Sequence, residues 1–234
     1  MRIGTLYGLG VGPGDPELIT VKAFRKLQES PVIAYPKKLR GSKSYAHRIV
    51  DMYINPEEKE MLGLVFPMTK DKDTLRAEWT KSAEAIYGFL SKGKDVAFVT
   101  EGDPMLFSTF IHLMKLMQTM HPDVPIETVA GISSFNGSVN RLGIALADGD
   151  DHVAMIPATE NMEEMRRVIE SHDAIVFIKV AKVLNDMLNL LEEMNLLEKT
   201  HVVTKVTSDE EVIWNVHELR GAELNYLSCM VVRK

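Results

Sequence analysis

The sequence holds a single cysteine, Cys229, no surplus of basic charge, and no apolar run near the roughly 18 residues that a membrane span requires. Each shortage excludes something. One cysteine cannot close an internal disulfide, so a reducing cytoplasm is the expected location. A net charge of −6 and an isoelectric point near 5.7 argue against a general nucleic-acid binder, which carries a basic surplus. The missing apolar run and a mean hydropathy of −0.05 argue against a membrane protein. The N-terminus, Met1-Arg2-Ile3-Gly4-Thr5-Leu6-Tyr7-Gly8, has none of the apolar core of a signal peptide and reaches glycine early. The seven histidines are dispersed without metal-ligand spacing, and no Ser/His/Asp or Cys/His constellation stands out. Neither a metal centre nor a nucleophilic triad is expected.

What is present is an ordinary globular composition, 45% hydrophobic and 26% charged, over 234 residues, which is room for two α/β lobes. Strand-like runs occur at Ile3–Leu9, Val32–Tyr35, Leu62–Phe66, Val96–Thr100 and Ile126–Val129. Helix-period segments separate them: Val21, Phe24 and Leu27 share a face, as do Trp79, Ala83, Ile86 and Leu90, and Ile111, Met114 and Met117. Asp73 and Ser108 are the expected caps of the second and third of these. Such alternation predicts parallel strands with crossover helices and a ligand site at the strands' carboxyl ends. The pattern changes near Ala147-Asp148-Gly149-Asp150-Asp151. A strand His152–Ile156, a helix Met162–Ser171 capped by Asn161, a strand Ala174–Lys179 and a helix Val183–Met194 follow. Strand-like runs at Val202–Thr207, Glu211–Trp214 and Tyr226–Val232 finish the chain, which predicts a mixed sheet. The expected division is an N-terminal lobe of residues 1–143, mostly parallel, and a C-terminal lobe of residues 144–234.

The glycine loop Gly8-Leu9-Gly10-Val11-Gly12-Pro13-Gly14-Asp15 lies between the first strand and the first helix, where backbone approaches a ligand closely. It is not a dinucleotide fingerprint. Counted from Gly8 the third glycine of Gly-x-Gly-x-x-Gly is Pro13; counted from Gly10 it is Asp15. No acid ends the second strand to hold a ribose, because Val32-Ile33-Ala34-Tyr35-Pro36 runs into Lys37-Lys38. Asp15 and Glu17 put negative charge where a pyrophosphate would sit, and no Gly-Lys-Ser/Thr makes a P-loop. A plain glycine turn is the simpler alternative, which Pro13 and Asp15-Pro16 argue against.

Two further loops end strands and open helices. In Thr100-Glu101-Gly102-Asp103-Pro104-Met105-Leu106-Phe107-Ser108-Thr109, Asp103 is either an acid for a ligand's amino or hydroxyl groups or a local Asx turn. In Val129-Ala130-Gly131-Ile132-Ser133-Ser134-Phe135-Asn136, the hydroxyls are either ligand contacts or helix caps. If their strands lie side by side, the three loops line one pocket. The densest basic stretch, Lys37-Lys38-Leu39-Arg40-Gly41-Ser42-Lys43 with Arg48, follows the second strand. It suits an acidic ligand, or else it is a solvated loop.

Together these motifs resemble the tetrapyrrole methylase family, across essentially the whole chain. The family's Gly-x-Gly-x-Gly, Asp-Pro and Leu-x-Thr pattern matches Gly8 through Thr20, Gly-Asp-Pro-x-x-x-Ser-Thr matches Gly102–Thr109, and Gly-Ile-Ser-Ser-Phe matches Gly131–Phe135. Ala34-Tyr35-Pro36, Phe66-Pro67-Met68, Ile156-Pro157-Ala158 and Val176-Phe177-Ile178-Lys179-Val180 are similar to one branch, whose members methylate the C-20 meso carbon of precorrin-2 or cobalt-factor II in cobalamin synthesis. Ala130 departs from the family, in which proline usually precedes that glycine. The resemblance implies two α/β lobes with a cleft, a homodimer, and S-adenosylmethionine as methyl donor. It implies cofactor contacts at Val11, Gly102, Asp103, Leu106, Ser133, Ser134, Ile178 and Lys179. Substrate contacts are expected at Gly10, Gly12, Pro13, Asp15, Lys37, Lys38 and Arg40, the basic ones for a polycarboxylate tetrapyrrole. It identifies no catalytic base. A sibling methylase of another substrate, or a non-catalytic nucleoside binder, is the alternative; a nicotinamide oxidoreductase is disfavoured by the loop.

Overall fold

Alternation along the first strand, β1 (Leu6–Gly10), sends Leu6 to one side and Tyr7 and Leu9 to the other, and all are buried. A strand buried on both faces belongs in the middle of a parallel sheet clad by helices. The computed structural model, which describes residues 2–38, 41–42, 44–67, 69 and 71–234 (Lys72 by its backbone), has that layout in the first of two compact units, Met1–Ser133 and Ser134–Lys234.

The first unit runs β1, α1 (Val21–Glu29), β2 (Val32–Lys37), α2 (Tyr45–Val50), β3 (Glu60–Val65), α3 (Lys72–Leu90), β4 (Val96–Thr100), α4 (Thr109–Met120) and β5 (Ile126–Val129). Its strands are all parallel, in the order β3-β2-β4-β1-β5. Leu6, Val32, Ala34, Val96 and Phe98 pack against Ile86 and Leu90 of α3 and Phe110, Leu113 and Met117 of α4. Tyr7, Leu9, Ile33, Tyr35, Ala97 and Val99 pack against Ala23 and Leu27 of α1 and Ala46, Ile49 and Val50 of α2. Burying a side chain of this size is worth about 1.5–3 kcal/mol, so both layers hold the sheet. Gly8 is part of that packing: a Cβ there would lie 2.2 Å from Phe110 Cε1. Ser108 caps α4, as its sequence predicts, but α3 starts earlier than expected. Its cap is Asp71, which accepts the Thr74 N–H at 3.1 Å, and Asp73 sits in the first turn, where negative charge favours the helix dipole.

The second unit contains α5 (Ser134–Leu142), β6 (Val153–Pro157), α6 (Met162–Ser171), β7 (Ala174–Ile178), α7 (Leu184–Glu193), β8 (Thr200–Thr204), β9 (Val212–Trp214) and β10 (Ser228–Arg233). The sheet is mixed, in the order β6-β7-β10-β8-β9; β6 and β7 are parallel, and every other pair is antiparallel. Met165 and Ile169 of α6 and Leu184, Met187 and Leu191 of α7 cover one face with Met230, so these three methionines fill core, whereas Met52 and Met105 are exposed. Val139 of α5 covers the other face, against Val176 and Val231. That packing accounts for the division between Ser133 and Ser134 rather than at 143/144: α5 belongs with the second sheet. The sequence pattern extends β8 to Thr207, yet the strand stops at Thr204, because Lys205 (φ 47°) and Thr207 (φ 65°) turn left-handed. Among the described residues, no helix is long and apolar enough to cross a membrane.

Candidate functional site

The strand order β4-β1-β5 brings the three glycine-bearing loops out side by side at the carboxyl edge of the first sheet. They are hydrogen-bonded to one another. Val11 N–H donates to the Thr100 carbonyl at 3.0 Å, and Gly102 N–H donates to the Gly12 carbonyl at 2.8 Å. Gly12 has φ 87°, a conformation glycine adopts without cost. Gly131 N–H donates to Asp103 Oδ2 at 3.0 Å, and the Thr20 hydroxyl donates to the Ala130 carbonyl at 3.4 Å. The contact is closest at the glycines. A Cβ on Gly10 would meet the Gly102 oxygen at 2.6 Å and Gly131 Cα at 2.7 Å; one on Gly131 would meet the Gly102 oxygen at 2.2 Å.

Asp103 combines the two roles that its sequence context offers. Oδ1 accepts the Met105 N–H at 2.8 Å, which is the local Asx turn, while Oδ2 reaches across to Gly131. A carboxylate has about four acceptor positions, so each oxygen keeps capacity for a ligand donor. Beyond it Pro104 is buried, Leu106 is half-buried, and Phe107 adopts φ 51°. Ser108 anchors the loop's far end, 3.0 Å from the Thr100 hydroxyl. In the first loop Asp15 Oδ1 accepts the Glu17 N–H at 2.8 Å, and the Pro13 carbonyl accepts from the Tyr45 hydroxyl of α2 at 3.3 Å. In the third, Ser133 is buried and, among the described residues, its Oγ has no hydrogen-bond partner. Such an orphan costs free energy unless a ligand group completes it. A glycine cradle ending in an unpaired hydroxyl fits the polar groups of a nucleoside-bearing cofactor.

The basic segment divides. The Lys37 ammonium lies 5.3 Å from the centre of the Tyr35 ring, and its stem fills the space beside Gly63. His47 stacks on the same Tyr35 ring at 4.4 Å and 10°. Burial pushes the His47 pKa down, Asp51 opposes this, and the Lys37 charge adds to it. Lys38 is exposed. Arg40, with Leu39 and Lys43, lies outside the described residues, as does Met68. One residue that motif reading passed over stands beside Lys38: Glu101, half-buried at the end of β4. Burial pushes its carboxyl up, while its own backbone N–H and the Lys38 charge pull the other way. The only sequence signal was an acid directly before Gly102-Asp103.

The second unit holds Ser134, Ile178 and Lys179. Cys229 of β10 links the first two: it pairs with Ile178 in the sheet, and its thiol donates to Ser134 Oγ at 3.3 Å. Burial pushes that thiol's pKa up, against its hydrogen bonding with Ser134 and Ser138. Lys179, exposed and left-handed at φ 59°, ends the strand. Sequence reading also passed over the turn after β8, where Thr207 N–H donates to Glu211 Oε2 at 2.6 Å and Arg141 holds the same carboxylate through Nε and Nη2.

Comparison with known proteins gives one consistent result. Residues 5–220 match the family model for Tetrapyrrole (Corrin/Porphyrin) Methylases. The chain is 34% identical over 233 residues to a cobalt-precorrin-2 C(20)-methyltransferase of Salmonella typhimurium, covering 99% of this chain and 97% of that one. It is 31% identical over 238 residues to a precorrin-2 C(20)-methyltransferase of Sinorhizobium sp, covering 98% and 95%. Among solved structures, the uroporphyrin-III C-methyltransferase of Thermus thermophilus, complexed with S-adenosyl homocysteine, superposes with a TM-score of 0.68 at 20% identity, over 99% of this chain and 98% of that one.

Proposed function

The chain belongs to the tetrapyrrole (corrin/porphyrin) methylases, and from that premise we propose that it transfers a methyl group from S-adenosylmethionine to the C-20 meso carbon of precorrin-2 or cobalt-factor II in cobalamin biosynthesis. The observation that carries this reading is the locked edge where Gly10, Gly102 and Gly131 meet beside the unpaired Ser133 hydroxyl. Similarity to C(20)-methyltransferases over nearly the whole chain favours this carbon over its neighbours.

When bound, the cofactor supplies an electrophilic methyl group on a good leaving group. The protein's task is then alignment, which contributes about 7–11 kcal/mol in well-oriented reactions. Val11, Gly102, Asp103, Leu106 and Ser133 in the first unit, and Ser134, Ile178 and Lys179 in the second, are the residues we assign to holding it. Main-chain groups carry much of that task in this reading, so side-chain identity at Val11, Leu106 and Ile178 says little. Gly10, Gly12, Pro13 and Asp15 shape the substrate side of the first loop. Lys37, Lys38 and Arg40 attract the substrate's carboxylates, a local positive field on a chain of net charge −6. The reading carries with it a homodimer, as the resemblance implies, and a reducing cytoplasm, which suits an unpaired buried Cys229.

The test offers precorrin-2 and cobalt-factor II in parallel, without oxygen, with methyl-labelled cofactor. Label in a C-20-methylated product supports the reading and identifies the preferred metal state. Label on another carbon assigns the chain to a sibling activity, and cofactor binding without turnover on either substrate makes it a binder only.

A further inference from the structure

We propose that Glu101 is the proton acceptor of the reaction, taking the hydrogen from C-20 once the methyl group is in place. The inference rests on the C-20 reading and adds to it the base that no motif supplied. In the reaction, a π pair of the macrocycle forms the new bond from C-20 to the methyl carbon as the sulfur–methyl bond breaks with its pair on sulfur. The C-20–H pair then returns to the macrocycle, and the proton passes to the Glu101 carboxylate, leaving a neutral carboxyl.

Placement is the first argument. Glu101 follows the last residue of β4 and precedes Gly102, whose N–H is tied to Gly12 and whose carbonyl is wedged between Gly10 and Gly131. Its backbone is therefore held at the three-loop edge, at the end of the sheet's central strand. Ala97 and Val99 point into the layer with Val11 and Tyr35, and alternation puts Glu101 next in that row, at the layer's open end. This accounts for a carboxyl that is shielded on a residue that still reaches the surface.

The second argument is by comparison with the other ionisable groups of this edge. Asp103 holds the Met105 and Gly131 amides, and Asp15 holds the Glu17 amide. Lys37 lies over Tyr35 and the Tyr45 hydroxyl is given to Pro13; His47, stacked on the Tyr35 ring, has its Nε2 3.7 Å from Asp51 Oδ1 and is made a weaker base by burial. Among the described residues, Glu101 accepts from its own backbone N–H and feels Lys38 across from the end of β2. Burial raises its basicity, which suits an acceptor working near neutral pH. Lys38 also serves the cycle: a substrate carboxylate that engages it weakens its pull on Glu101, so the carboxyl becomes a better base when substrate is present.

The experiment compares wild type, E101Q and E101D, using cofactor calorimetry, turnover against pH, and substrate deuterated at C-20. E101Q is expected to lower turnover by about a hundredfold or more, with cofactor affinity unchanged. It is also expected to lose the acid limb of the pH profile and to show a larger deuterium effect than wild type. E101D, which keeps a carboxylate, should recover part of the turnover and the acid limb. Wild-type turnover in E101Q overturns the proposal; so does an equal loss in both variants with the acid limb and deuterium effect unchanged, which marks a structural role. A wild-type product methylated elsewhere contradicts the C-20 reading alone, and the same comparison with deuterium at that carbon then decides on Glu101. No methylated product from either tetrapyrrole overturns both.

Discussion

Asp103 accepts the main-chain N–H of Gly131 through Oδ2 at 3.0 Å while Oδ1 holds the amide of Met105 at 2.8 Å. One carboxylate thus shapes its own loop and fastens it to the next. Asp103→Ala removes both bonds and leaves two amides to find water. We expect cofactor affinity to fall at least tenfold, about 1.4 kcal/mol, with the fold retained by circular dichroism. Asp103→Asn, which keeps one acceptor oxygen, should lose less. Unchanged affinity by calorimetry in the alanine variant removes Asp103 from the site.

The glycines supply a steric test. Gly131→Ala drives a Cβ to 2.2 Å from the Gly102 carbonyl, backbone against backbone, so the loops must part. Overpacking of this kind costs about 1–3 kcal/mol, and we expect a lower melting temperature together with weaker cofactor binding. Gly88, in the last turn of α3 with nothing near its Cβ position, is the control. Gly88→Ala should stabilise by about 0.5–1 kcal/mol through the helix preference for alanine. Equal melting temperatures for the two variants would contradict the packing described.

Much of this was legible in the sequence, and the boundaries of what was not are physical. The parallel sheet followed from the alternation of strand-like runs with helix-period segments, and the three loops from glycine, proline and hydroxyl residues at strand ends. Their adjacency followed only if β4, β1 and β5 were neighbours, which is a matter of topology that no local pattern encodes. The expected cap Asp73 and the observed cap Asp71 are acids two residues apart, which composition alone does not distinguish. The boundary at 143/144 followed a polar, glycine-containing stretch, whereas the units part where Val139 finds the second sheet. Glu101 was invisible as a special carboxyl because its burial is a property of the folded packing at the end of β4 and not of its local sequence.

The basic segment should separate substrate from cofactor. Neutralising Lys37, Lys38 and Arg40 together is expected to weaken tetrapyrrole binding far more than cofactor binding, and to flatten its dependence on salt, since exposed charges act through a screened field. Absorbance titration of the tetrapyrrole at two ionic strengths checks this. Equal, salt-insensitive losses for both ligands would show that the segment only shapes the loop.

Glu101 also makes a stability prediction with a definite sign. Its folded-state pKa is raised above the ordinary value of 4.5, so the native state holds its proton at pH values where the unfolded chain has released it. The associated stability is present at low pH and is lost as pH rises through the raised value. Glu101→Gln removes the charge and the loss with it. The melting temperature of E101Q should exceed that of wild type by a margin that grows from acid to alkaline pH. A margin that does not change with pH would place the carboxyl in solvent, and one that shrinks with rising pH would mean a charged partner holds its pKa down.

The central claim is the carbon that is methylated. Cobalt-factor II and cofactor carrying a carbon-13 methyl group, incubated with the protein in the absence of oxygen, should give one labelled product whose methyl signal is assigned by NMR to C-20. A labelled methyl on a pyrrole-ring carbon, or no labelled product from cobalt-factor II or precorrin-2, would contradict it.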